Sequence, residues 1–236
     1  MLEWQESLIQ GLAQAESEEQ LFALLAAAAR TLGFDYCAHG LRVPLPVSNP
    51  RVFMVNNYPE EWQKQYVREQ YITIDPTVAH GMRSLMPLVW SQEVFSDCRS
   101  FWEEARSHGL RNGWAQSCHD ARGNAGLLTL ARSHDDISRD ELRAHSLQMS
   151  WLAHAVHEGM VRLVAGRLVP DADKELSARE TEVLRWTADG KTSADVSDIM
   201  HISERTVNFH LNNAMAKLGV CNKTALAVKA TVLGLL

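Results

Sequence analysis

A chain of 236 residues with 46% hydrophobic residues and a formal charge of −6 is long enough for two domains. It has apolar side chains enough to pack its cores without metals or disulfides. Four scattered cysteines, Cys37, Cys98, Cys118 and Cys221, form no CxxC pair, which argues against a disulfide framework or a zinc site and for reduced thiols in the cytoplasm. The longest apolar run, residues 21–29, is too short to span a membrane and follows Glu18 and Glu19 rather than a basic leader, so no anchor, membrane partner or signal peptide is expected.

Charge is unevenly spread. Residues 174–236 carry eight Lys/Arg against seven Asp/Glu, a net +1, which leaves −7 for residues 1–173. The acidity belongs to the first part of the chain, as expected for two units with different tasks.

In chain order, residues 17–32 read as an amphipathic helix with Ser17 as its N-cap. Strand-like runs follow at 36–43, 51–57, 87–90, 113–119 and 125–133. Helical patterns lie between them at 59–69, 76–83 and 101–108, and a long helix over about 138–164 closes the unit. This order predicts an α/β/α sandwich built on a largely antiparallel sheet. Within it, Pro59 suits the first turn of a helix, and Tyr58, Trp62 and Tyr66 recur at steps of four along one helix face. Such a stripe is either core or the wall of a ligand site, and each of these side chains has a polar tip that needs a partner when buried. Asp75, in an apolar neighbourhood, is open to two readings: an N-cap for a helix beginning at Pro76, or the acceptor for a ligand N–H.

Gly166 and Pro170 break the helical period, and the polar stretch 167–175 reads as a linker. Residues 176–236 then read as four helices. Ser177 and Glu180 form a capping box, and Gly190 suits the end of the first helix. The second helix covers about 193–200, and after a short turn Ser203 caps a third over 204–218, ended by Gly219; the fourth covers about 223–233. A helix, a short turn and a second helix suit insertion into a major groove; the alternative is a small bundle that binds protein or dimerises. Val207, Leu211 and Leu218 would face the core, leaving Arg205, Thr206, Asn208, Asn212 and Asn213 outward to meet bases and phosphates. Lys191 and Thr192, at the start of the second helix, could meet a phosphate. The whole chain is thus expected to be α+β, with an all-α four-helix helix-turn-helix domain at its C-terminus.

The stretch from Leu176 to Thr192, followed by Ile202–His210, resembles the LuxR-type DNA-binding domain, with the family's hallmark positions at Glu180, Leu184 and Gly190. In relatives the outward positions of the third helix read bases; these are Asn208 and Asn212 here, where some relatives carry arginine. The first part of the chain resembles the autoinducer-binding domain of LuxR-type quorum-sensing receptors, with hallmarks at Trp62, Tyr66, Asp75, Pro76, Trp90 and Gly113.

The resemblance implies a receptor for N-acyl homoserine lactones with no cofactor, metal or catalytic residue. Trp62 would donate to the lactone carbonyl, Asp75 would accept the amide N–H, and Tyr58, helped by Thr129, would donate to the amide carbonyl. Tyr66, Trp90, Phe101, Trp102 and Leu110 would form the walls. Ala38 and Gly40 would leave room for an acyl tail that Val78, Met82 and Leu127 line, and Arg42 would reach a 3-oxo oxygen or a surface carboxylate. The implied organisation is a ligand-binding and dimerisation domain over 1–166, a linker over 167–175 and a DNA-binding domain over 176–236. The implied partners are a palindromic DNA element and a second copy of the chain, joined through the long helix. A lactone hydrolase is disfavoured because no GxSxG elbow is present and the histidine pairs lack a metal or triad context. A ligand-independent regulator or a heterodimerising antagonist of the same fold is the other alternative.

Overall fold

The computed structural model describes residues 3–165, 167 and 175–236. The break at Gly166 and Pro170 and most of the expected linker lie outside the described residues. The chain divides into two compact units, one built around the sheet and the other around the C-terminal helices; the segments Val43–Arg51 and Asp120–Gly123 group with the second.

The first unit begins with α1 (Glu3–Gln14), which periodicity did not reveal, and α2 (Glu18–Thr31). The Ser17 hydroxyl accepts from the Gln20 N–H at 3.2 Å, and Glu18 and Glu19 lie in the first turn, where the helix dipole favours acids. The sheet comprises β1 (Tyr36–Val43), β2 (Arg51–Asn56), β3 (Leu88–Val89), β4 (Asn112–His119) and β5 (Ala125–Arg132), in the order β2-β1-β5-β4-β3. The β1–β5, β5–β4 and β4–β3 pairs are antiparallel. The third strand is shorter than expected: Leu88 and Val89 pair with β4, the Trp90 N–H adds one bond to the Gly113 carbonyl at 2.8 Å, and Pro87, lacking an N–H, stands outside the ladder.

Strand alternation gives the sheet two different faces. On one, β4 and β5 pack against α6 (Arg139–Met160), which also contacts α1 and α2. His39 of β1 faces His157 of α6 there, with ring centroids 6.2 Å apart. Gly126 makes room for that pair, since a Cβ on it would stand 2.3 Å from His157 Nδ1. The start of α6 is fixed twice: Ser138 and Glu141 form a capping box, and Glu141 also takes a two-pronged ion pair from buried Arg132 at 2.6 and 2.8 Å. On the opposite face lie α3 (Glu60–Arg68), α4 (Pro76–Gly81) and α5 (Arg99–Ser107), completing the sandwich.

The second unit holds α7 (Ala178–Ala188), α8 (Ser193–Met200), α9 (Glu204–Leu218) and α10 (Lys223–Val232). Every helix starts on a side-chain cap: Ser177, Thr192, Ser203 and Asn222. His201 at φ 54 and Gly219 at φ 62 end α8 and α9 in the left-handed region. Val183, Leu184, Val196, Val207, Leu211, Leu218 and Leu226 form the core. Glu180 completes its capping box and also takes an ion pair from Lys217 of α9 at 2.7 Å, tying the first helix to the third.

Candidate functional site

The sheet face under α3 and α4 borders a cavity of about 890 Å³, measured out to its open mouth. Its floor is three cross-strand pairs of β1 and β5: Ala38 opposite Thr129, Gly40 opposite Leu127, and Arg42 opposite Ala125. Val78 and Met82 of the α4 region line it, as expected. At the Thr129 end it meets a smaller compartment of about 330 Å³, bounded by Tyr58, Trp62, Asp75, Trp90, Phe101 and Leu110.

The polar tips gather where the two compartments meet. Asp75 takes the cap role and also borders the cavity. Its Oδ1 caps α4, accepting from the Thr77 N–H at 2.8 Å and the Thr77 hydroxyl at 2.7 Å. Its Oδ2 accepts from the Tyr66 hydroxyl at 3.0 Å and lines the cavity wall. A carboxylate oxygen has two lone pairs, so Oδ2 retains capacity for another donor. Asp75 is half-buried by surface area, but that surface faces the cavity rather than bulk water; burial raises its pKa above the usual value against the hydrogen bonds of Thr77 and Tyr66. Burial and the nearby Asp75 charge also push the Tyr58 and Tyr66 phenols up, so both remain hydrogen-bond donors at neutral pH.

Aromatic packing holds these groups. Trp62 is 2% exposed and lies against Tyr66, Tyr71 and Phe101, with centroids 5.6–6.0 Å apart. Tyr71 and Gln65 both bond Glu104, joining this wall to α5. Trp90 lies flat on Gly113, where a Cβ would approach its ring to 2.4 Å, so the two hallmark positions explain each other. The buried Trp90 indole N–H has no hydrogen-bond partner among the described residues.

Fourteen of the fifteen residues expected at the ligand site line one compartment or both; the exception is Trp102. Its ring stacks on Phe95 at 4.1 Å, one layer behind the wall. Phe101 and Trp102 are adjacent on α5 and cannot share a face, and Phe95 takes the wall position instead. Thr77, Ile72 and Met54 also line the cavity and were not singled out from sequence, since threonines and aliphatic residues in loops and strands carry no distinguishing pattern.

In the second unit, α8 and α9 form the expected helix-turn-helix. Lys191, Thr192, Arg205 and Asn212 are exposed; Thr206 and Asn213 are half-exposed. The Thr192 hydroxyl is engaged with Asp195 in a cap. Asn208 is half-exposed and also makes contacts within the unit. Its Oδ1 accepts from the Ser193 hydroxyl at 3.0 Å and from Lys223 Nζ at 3.1 Å, pinning α9 to the starts of α8 and α10. Bidentate pairing with adenine uses both the oxygen and the amide of an asparagine, and here the oxygen already holds two hydrogen bonds. Phe209, 58% exposed between Arg205 and Asn212 on the outward face, was missed because a single aromatic in a helical pattern reads as core.

Residues 17–160 match the Autoinducer binding domain family, and residues 174–230 match the luxR family of bacterial regulatory proteins. The chain is 47% identical over its full length to the whole of the transcriptional activator protein AnoR of Acinetobacter nosocomialis. The crystal structure of Escherichia coli SdiA superposes with a TM-score of 0.84 at 34% identity, covering 98% of this chain and 97% of that one. A complex of SdiA with octanoyl-rac-glycerol superposes with a TM-score of 0.83 at 34% identity, covering 98% and 95%. A cavity domain of the autoinducer-binding type joined to a helix-turn-helix, with both families matched, places the chain in the LuxR family of quorum-sensing transcriptional regulators.

Proposed function

We propose that the chain is a ligand-gated transcriptional regulator that binds an N-acyl homoserine lactone through residues 1–166 and, as a homodimer, a palindromic promoter element through residues 176–236. Residues 167–175 connect the two parts, and the protein acts in the cytoplasm. The observation that carries this reading is the convergence of Asp75, Tyr58 and Thr129 on one end of an otherwise apolar cavity. An acyl amide needs one acceptor, one carbonyl donor and an apolar trough, and those groups match it. Trp62 donates to the lactone carbonyl, Asp75 Oδ2 accepts the amide N–H, and the Tyr58 phenol donates to the amide carbonyl beside Thr129. SdiA's complex with an octanoyl glycerol supports acyl-chain binding in this fold.

Binding completes the core of the first unit and so stabilises the folded state by mass action. Dimerisation through α6 is supported by an outward stripe of Leu147, Trp151 and His154 at helical spacing, with Leu147 84% and Trp151 37% exposed. The paired recognition helices then meet half-sites one turn of DNA apart.

The test is Asp75→Asn. Asparagine is as good an N-cap as aspartate, so α4 keeps its start while the amide acceptor is lost. Lactone affinity measured by calorimetry is expected to fall by roughly 1.5–3 kcal/mol, with the unliganded melting temperature little changed. Undiminished affinity would remove Asp75 from the ligand site.

A further inference from the structure

The trough beyond the polar groups runs along the β1–β5 ladder and has a bare midpoint. Ala38–Thr129, Gly40–Leu127 and Arg42–Ala125 follow one another along the β1–β5 ladder. Thr129 borders both compartments, whereas Arg42 and Ala125 border the larger one alone. Four residues of strand separate Thr129 from Ala125, a distance of about 13 Å. An extended hydrocarbon advances about 1.25 Å per carbon, from bonds of about 1.5 Å at tetrahedral angles. The trough therefore accommodates about ten carbons beyond the amide end. Its midpoint is open: a Cβ on Gly40 would meet no atom within 4 Å. Beside it on the neighbouring strand β2 stand Val52 and Met54, 50% and 39% exposed, and Met82 after α4 is 45% exposed. A short tail leaves Val52 at the Arg42 end uncovered; a long one covers all three.

We infer that the ligand is a long-tailed acyl homoserine lactone, of about ten to twelve acyl carbons, and that Gly40 sets this preference by leaving the middle of the trough unobstructed. The inference rests on the lactone reading above and adds to it the tail class and the residue that selects it. A side chain at Gly40 has room at its own backbone position, and φ there is not in the left-handed region, so the fold tolerates one. Valine is favoured in strands and fills the path of the tail.

The experiment compares butanoyl, octanoyl and dodecanoyl homoserine lactones on the full-length chain, by calorimetry, for the native sequence, Gly40→Ala and Gly40→Val. The native chain is expected to bind the dodecanoyl ligand at least about tenfold more tightly than the butanoyl one. That selectivity is expected to fall about tenfold or more in Gly40→Val and by an intermediate factor in Gly40→Ala. Thermal unfolding of the unliganded variants checks that each is folded. Equal affinity for all three tails, or a selectivity ratio unmoved by Gly40→Val, overturns the inference while leaving lactone binding intact. Failure of the native chain to bind any of the three overturns the lactone reading and this inference together.

Discussion

The buried imidazole of His39 makes stability depend on pH. His39 is 1% exposed, and neither ring nitrogen has a hydrogen-bond partner among the described residues. Burial, and then the neighbouring His157, lower its pKa from 6.5 to about 3. The folded-state pKa lies below the unfolded one, so the folded chain holds His39 neutral and the unfolded chain binds the proton first as pH falls. Stability from this group is complete above pH 6.5 and is lost progressively toward pH 3. The loss between pH 6.5 and about pH 5 is on the order of 2 kcal/mol. Urea unfolding at the two pH values measures it, and His39→Leu is expected to flatten the difference. An equally steep dependence in that variant would assign the effect elsewhere. Asp75 shows the limits of reading residues singly: the sequence left cap and ligand acceptor as alternatives, and two oxygens on one carboxylate allow both.

At the scale of elements, α9 places its asparagines in different surroundings. Asn208 joins three helices through Ser193 and Lys223, whereas Asn212 and Phe209 face outward. An exposed phenylalanine beside polar side chains suits contact with a thymine methyl in the major groove. Asn212→Ala and Phe209→Ala are each expected to weaken specific DNA binding by about 1–3 kcal/mol and to relax preference at one base step. Asn208→Ala is expected instead to lower the melting temperature of the second unit. Selection from random duplexes with each variant reads the first pair, and thermal unfolding the last; a changed base preference in Asn208→Ala with unchanged melting would reverse the assignment. The helices of this unit were legible almost to the residue because each carries its own cap, and a cap is a local interaction among residues three apart. The first unit was less legible at its edges. α1 was not read from its pattern, and β3 pairs over two residues although β4 runs on past their partners to His119.

For the whole molecule, the proposed switch requires that ligand, fold and dimer be coupled. Along α6, Met149, Leu152, Ala153 and Val156 face the core, while Leu147 and Trp151 lie on the opposite side, exposed and apolar. Placing a charge in that stripe is expected to break a two-fold pairing twice, because each copy contributes the same residue. Leu147→Glu with Trp151→Ala should shift lactone-saturated protein from dimer to monomer in sedimentation and remove cooperative binding to a two-half-site duplex. A variant that remains dimeric would move the interface away from α6.

The sequence alone determined what depends on neighbours along the chain: the capped helices, the alternating strands, the division into an acidic sensor and a near-neutral DNA-binding unit, and the motif residues of the LuxR family. Only the tertiary structure decided which of those residues share a surface. Phe101 and Trp102 look equivalent in sequence, yet one lines the cavity and the other stacks behind it, because a helix turns adjacent side chains to different faces. Ala38, Gly40 and Arg42 become a trough only when β5 lies beside β1 in a register that sets them against Thr129, Leu127 and Ala125. Asn208 reads as a free polar residue until Ser193 and Lys223 are brought to it from other helices. Pairing between distant segments creates each of these sites, and no local pattern records it.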